Sequence, residues 1–279
     1  MSAGPQTATA FDRATAVSPL RPGVWSAVCD SAWSAPRGPN GGYLAAIVLH
    51  AMVARLADPA REARSLTLHY LRPPADGEVH VEVAVERAGR SVSSLSARLS
   101  QDGRLCVLAL AAFAVDFTSA ADYAPAAPGV PPAEEVEPWG PFEGAPPISH
   151  RMSFRPALGA PPFSGAPEAL TGGWLRFAEP RAPDAAALAM YSDAWLPAPF
   201  PRLTTPIAAP TIDLTIHFRA PAATAALGLE DHLLGVFRST ASAGGFFEED
   251  GELWSPDGTL LAQSRQLALM LPMPEAGGV

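Results

Sequence analysis

Two stretches of the chain alternate apolar and polar residues in the same way and end in proline: Ser65 to Pro74, SLTLHYLRPP, and Asp213 to Pro221, DLTIHFRAP. Period-two alternation bounded by Pro predicts a strand with one buried face. His69 and His217 stand at matching positions, 148 residues apart. Each stretch leads toward an Asp-Gly pair between strand-like runs, Asp102-Gly103 and Asp257-Gly258, the turn chemistry of a tight hairpin. One motif met twice, half a chain apart, predicts a duplicated domain.

The elements around each copy agree. A strand is predicted over 23–33, then a turn-rich loop, then a helix over 41–56 with Asn40 as its N-cap. Leu44, Ile47, Val48, Met52 and Leu56 fall near helical spacing, and most other positions there are Ala, Val or Gly. A helix apolar nearly all round is a buried one. Strands follow over 65–71, 79–86, 91–101 and 104–117. Strand, buried helix and antiparallel meander form the hot-dog arrangement, a curved sheet wrapped round one central helix. In the second half, strands are predicted over 149–155 and 173–178. A helix over 185–195 follows, opened by Pro183 with Asp184 in its first turn, and then strands over 211–218, 233–241, 244–254 and 259–271.

The fold class is therefore α+β, a tandem hot-dog: two antiparallel sheets, each wrapping a central helix and continuous with one another. The first repeat spans 20–120, a Pro/Gly-rich connector 121–148 and the second repeat 149–273. Residues 1–20 are expected to be a partly ordered lead-in. Regular structure cannot persist through the Pro/Gly-dense segment, but Trp139, Phe142 and Phe163 predict that it is pinned to the surface.

Composition narrows the function. With 279 residues, 48% of them hydrophobic, the chain can build real cores. A net charge of −9 argues against a nucleic-acid partner. The two cysteines, Cys29 and Cys106, have no metal-ligand spacing and form no disulfide framework, which suits a reducing cytoplasmic setting. The first residues lack the basic and apolar regions of a secretory signal, and the apolar helix is shorter than a bilayer span. No metal, cofactor or membrane association is expected.

Four pieces, LTLHYLRPP, YSDAWLP, TIDLTIHFRAP and AQSRQ, carry a resemblance. With them the chain resembles the double hot-dog acyl-CoA thioesterases, similar to acyl-CoA thioesterase II. The resemblance covers all but the lead-in and parts of the connector. It implies hydrolysis of acyl-CoA to free acid and CoA, a homodimer or higher homo-oligomer, and an Asp, a Thr and a Gln of the second repeat that hold and activate water. Those residues match Asp193, Thr211 and Gln266. The family's Gly-Gly at the first helix start matches Gly41 and Gly42, preceded here by a variant Gly-Pro-Asn.

The residue types suit that chemistry. A carboxylate can accept a proton from water, and Thr and Gln can orient it by hydrogen bonds. Backbone N–H groups over Gly41, Gly42 and Tyr43 can face a thioester carbonyl; alternatively the glycines let the helix pack closely. For Asp193, Thr211 and Gln266 the competing reading is an exposed helix-end Asp and ordinary strand residues. Asp213, two residues past Thr211, is expected on the same strand face and is a reserve carboxylate. His69 and His217 read as structural, since one reaction does not need both. Arg72, Arg90 and Arg219 are candidates for the CoA phosphates.

Aligning the two copies places Ala63, Ala111 and about Ala45 opposite Thr211, Gln266 and Asp193, which predicts one polar centre per chain. No nucleophile elbow occurs and neither Cys has a His-paired setting, which favours direct attack by water. A non-catalytic acyl-binding role and a hot-dog hydratase or dehydratase are the alternatives.

Overall fold

The computed structural model describes residues 8–141 and 143–272. The first repeat contains α1 (Ala10–Ala14), β1 (Ser18–Arg21), β2 (Val24–Cys29), α2 (Gly41–Leu56), β3 (Glu62–Tyr70), β4 (Gly77–Ala88), β5 (Val92–Gln101) and β6 (Arg104–Ala114). The second contains β7 (Met152–Gly159), β8 (Ala169–Phe177), α3 (Ala185–Tyr191), β9 (Thr211–Phe218), α4 (Pro221–Ala225), β10 (Leu233–Ser239), β11 (Phe246–Trp254) and β12 (Leu260–Leu269). Together they build one antiparallel thirteen-stranded sheet in the order β1-β2-β4-β5-β6-β3-β9-β12-β11-β10-β8-β7, with a short strand at Ser242–Ala243 beside β11. The order reads the same from either edge once each strand is exchanged for its copy.

The repeated motif is the seam. β3 pairs with β9, and Thr67 meets Thr215. These two threonines are copies of each other, 148 residues apart, and their hydroxyls lie 3.0 Å apart. The pseudo-two-fold axis passes between them. Leu66, Leu68, Leu214 and Ile216 point inward and are wholly buried, each stabilising the seam by about 1.5–3 kcal/mol. His69 and His217 point outward and are exposed.

On the inner face α2 packs against α3. Almost every position from Gly42 to Met52 is buried, as its all-round apolar sequence demands. The second helix ends at Tyr191, four residues earlier than the sequence pattern predicts. The Ser192 hydroxyl donates to the Leu188 carbonyl at 2.8 Å, and the Asp193 and Ala194 amides turn back to Met190 and Tyr191. That tightening carries Asp193 out of the helix.

The described part of the lead-in is ordered from Thr9 onward. Thr9 and Asp12 form a capping box on α1, and Phe11 packs between Trp33 and Phe177. The connector covers part of the sheet. Ala127, Val130, Ala133 and Val136 close a second small core over Trp174, Leu234, Val236 and Trp254. The Trp174 indole donates to the Pro131 carbonyl at 2.8 Å. Trp139 bridges to Phe154 and Phe163 lies against Phe200; Phe142 lies outside the described residues.

Candidate active site

Thr211 and Gln266 come together on the inner face of the second repeat. The Thr211 hydroxyl donates to Gln266 Oε1 at 2.8 Å. A bulge makes this possible: Thr211 pairs with Ala268 while Asp213 pairs with Leu267. Those partners are consecutive and face opposite ways, so Thr211 points inward and Asp213 outward, toward the His69 side. This corrects the expectation that Thr211 and Asp213 share a face; the extra residue of the bulge reverses the alternation.

Gln266 Nε2 donates at 2.6 Å to Glu249 on β11. The other Glu249 oxygen accepts from the Ala198 amide at 2.5 Å. Glu249 is only 4% exposed. Burial pushes its carboxyl up to about 7 against those two hydrogen bonds, and the charges of Asp193 and Glu248 add to the rise.

Asp193 approaches from the segment after α3 and rests on the N-terminus of α2. Its Oδ2 accepts from the Gly42 amide at 3.1 Å and from Asn40 Nδ2 at 3.0 Å. Asn40 Nδ2 also reaches the Asp193 carbonyl at 2.7 Å, while Asn40 Oδ1 caps the Tyr43 amide at 3.0 Å. One side chain thus caps the helix and clamps the Asp193 loop to it. Burial raises the Asp193 carboxyl to about 6, opposed by the amides of Gly42 and Gly41 and by Asn40. The helix dipole acts in the same direction as those donors. The rise comes from burial alone, and the positive end of α2 works against it.

The two glycines have different neighbours. A Cβ on Gly41 would lie 2.9 Å from Asp193 Oδ2 and from the Tyr70 ring; one on Gly42 would lie 2.6 Å from the Met190 carbonyl. Gly41 therefore makes room for the site, and Gly42 for the contact between helices. Tyr43 points into the core, stacked on Trp33, with its hydroxyl bonded to the Asp30 amide and the Ala14 and Val28 carbonyls. Its amide is held by Asn40 and that of Gly42 by Asp193, so neither N–H is left facing a ligand.

Among the described residues Asp193 forms no hydrogen bond with Thr211 or Gln266; its charge is felt by Glu249, the hydrogen-bond partner of Gln266. Sequence reasoning missed Glu249, the Asn40 clamp and Tyr70, whose hydroxyl donates to the Gly41 carbonyl at 2.8 Å. Comparing the copies contains the signal. Leu214 faces Gln266 as Leu66 faces Ala111, and Gln266 faces Glu249 as Ala111 faces Leu95. The bulge at Thr211 is matched by one at Ala63, and Tyr70 is matched by Phe218. The polar set Thr211, Gln266 and Glu249 thus has Ala63, Ala111 and Leu95 as its counterpart.

Arg72 lies at Thr211's end of the β3–β9 pair, whereas Arg219 lies at the far end of β9, about 26 Å along the strand. Arg72, Arg90 and Arg219 are all exposed. Burial pushes the Cys29 thiol up to about 12, which leaves no thiolate at neutral pH. No helix among the described residues is long and apolar enough to cross a membrane.

The raised carboxyls have a consequence for stability. A carboxyl whose folded pKa lies above its unfolded one binds more protons in the native state, so its contribution falls as pH rises between the two values. For Asp193 that window runs from about 4 to about 6. Relative to wild type, the Tm of Asp193→Asn is expected to improve between pH 4 and pH 7. A difference in Tm independent of pH, read by calorimetry, would contradict it.

The sequence profile of the acyl-CoA thioesterase C-terminal domain matches residues 124–270, and that of the N-terminal domain residues 29–114. Among curated protein sequences none matches this chain. A conserved hot-dog protein of unknown function from Alicyclobacillus acidocaldarius is 30% identical, covering 95% of this chain and 99% of its own, with a TM-score of 0.87. A Thermobifida fusca protein proposed to be a thioesterase II is 25% identical, covering 94% and 97%, with a TM-score of 0.79. Acyl-CoA thioesterase II of Mycobacterium marinum, at 19% identity, shares the fold over 95% and 99% with a TM-score of 0.75. Both thioesterase domains are matched in chain order, one on either side of the β3–β9 seam, and so the chain belongs to the acyl-CoA thioesterase family and is a thioesterase.

Proposed function

We propose that the chain hydrolyses acyl-CoA thioesters by direct attack of a water molecule held between Asp193 and Thr211, with Gln266 orienting Thr211. The carrying observation is the Asp193 carboxylate, raised to about 6 yet seated on the positive end of α2. It is ionised at neutral pH and basic enough to take a proton in the transition state. Water donates one hydrogen to Asp193 and the other to Thr211, and its lone pair attacks the carbonyl carbon. Asp193 takes the proton, the tetrahedral intermediate collapses, and CoA leaves as its thiolate. The N-terminal field of α2 stabilises the developing oxyanion. In this role Gly41 keeps space for the thioester beside Asp193, Gly42 and Tyr43 set the start of α2, and Arg72 is placed to meet CoA phosphates.

The test is thiol release from a panel of acyl-CoAs of graded chain length. Hydrolysis is expected, with kcat/KM rising tenfold per pH unit below about 6, because the base must be deprotonated. Measurable binding with no thiol release from any substrate would overturn the hydrolytic reading in favour of a binding role. A profile flat through pH 6 would remove Asp193 as the base.

A further inference from the structure

Among the described residues, Asp193, Thr211 and Gln266 leave one buried carboxyl group without a task. Glu249 sits on the inner face of β11, and its counterpart Leu95 is wholly buried. A leucine is the ordinary occupant of such a place, since a buried carboxylate is costly without a basic partner. Glu249 has none among the described residues. The charges that face it are Asp193, from the segment after α3, and its neighbour Glu248, both negative. From β12 it meets the neutral Gln266, and from the loop after Asp193 the Ala198 amide.

What Glu249 does have is a directional hydrogen bond. A primary amide is a donor at one end and an acceptor at the other. A carboxylate at 2.6 Å accepts only from the donor end, which turns Gln266 Oε1 toward Thr211. The Thr211 hydroxyl hydrogen is then consumed by Gln266, and only its lone pairs remain. With Gln266 the other way round, Thr211 would receive a hydrogen bond and point its own O–H at the water. An attacking water needs both hydrogens accepted so that a lone pair is free for the carbonyl carbon.

We propose that Glu249 is a positioning residue: it fixes the orientation of the Gln266 amide and thereby makes Thr211 a pure acceptor toward the hydrolytic water. The inference rests on the hydrolytic reading above. Glu249→Gln keeps the shape but offers either amide end to Gln266. Glu249→Leu puts the first repeat's residue at this position and leaves the Gln266 Nε2 and Ala198 N–H groups without their acceptor. Glu249→Gln, whose amide oxygen can still accept from the Ala198 N–H, is expected to fold with a Tm close to that of wild type. Both variants are expected to lose kcat by about 10²-fold, the scale of a misdirected reactant, and to keep KM.

A merely structural role would leave kcat intact in Glu249→Gln, which keeps an acceptor for the Ala198 N–H, so wild-type kcat in either variant overturns the inference. A second readout does not need turnover. In wild type the Gln266 side-chain amide resonances should move with pH as Glu249 titrates, and that movement should vanish in Glu249→Gln. A pH-independent Gln266 amide in wild type overturns the inference by itself. Absence of hydrolysis by wild type, with the amide titration present, would reject the hydrolytic reading while leaving the Glu249–Gln266 orientation standing.

Discussion

Asp193→Asn is expected to lower kcat/KM for acyl-CoA by about 10²–10⁴-fold, the usual contribution of a placed general base. The substitution keeps the contacts that hold the loop. An Asn oxygen still accepts from the Gly42 amide and Asn40 Nδ2, and the Asp193 carbonyl still accepts from Asn40. What disappears is the basic carboxylate. The loss should therefore fall on kcat, with KM and the folded state preserved, and the acid limb of the pH profile should vanish with it. Steady-state kinetics across pH 4.5–9 with a thiol-reactive reporter reads all three. Unchanged kcat/KM would remove Asp193 from the chemistry and leave Glu249 as the nearest buried carboxylate.

The second large effect is on stability. Gly42→Ala places a methyl 2.6 Å from the Met190 carbonyl, 2.8 Å from that of Ala189 and 2.9 Å from Met190 Cα. All three are backbone atoms, so no side chain can swing aside and α2 must move off α3. Overpacking of this kind costs about 1–3 kcal/mol or more, which lowers Tm by roughly 3–10 °C in a chain of this size. Gly129→Ala is the control, because nothing lies within 4 Å of its Cβ. Gly41→Ala should behave differently. Its methyl meets the tips of Asp193 and Tyr70, which can shift, so hydrolysis should fall while Tm changes little. Equal Tm for Gly42→Ala and wild type would show that the helices are not held as tightly as this contact requires.

The architecture was legible in the chain because strand alternation, an all-apolar helix and a repeated motif are local patterns. SLTLHYLRPP and DLTIHFRAP predicted their own strands and, through the repeat, the duplication. Neither showed that the two strands would pair with each other about Thr67 and Thr215. Pairing brings together residues 148 positions apart, and alternation within one strand says nothing of its neighbour.

The site divides in the same way. Asp193, Thr211 and Gln266 could be picked out by family likeness and by contrast with their alanine counterparts. Asn40 showed only its capping role, because its amide meets Asp193 from the other repeat. Asp213 was placed on the wrong face because a bulge, which leaves no mark in period-two spacing, reverses the alternation between it and Thr211. Glu249 looked like one more acid in a run of three. Composition and periodicity determined the strands, the buried helices and the count of repeats. The tertiary structure alone decided the seam, the inward turn of Thr211 and the burial of Glu249 against Gln266. Those depend on register and on contacts between strands, within the second repeat as well as across the pseudo-two-fold axis, where the free energy of one residue is set by a partner elsewhere in the chain.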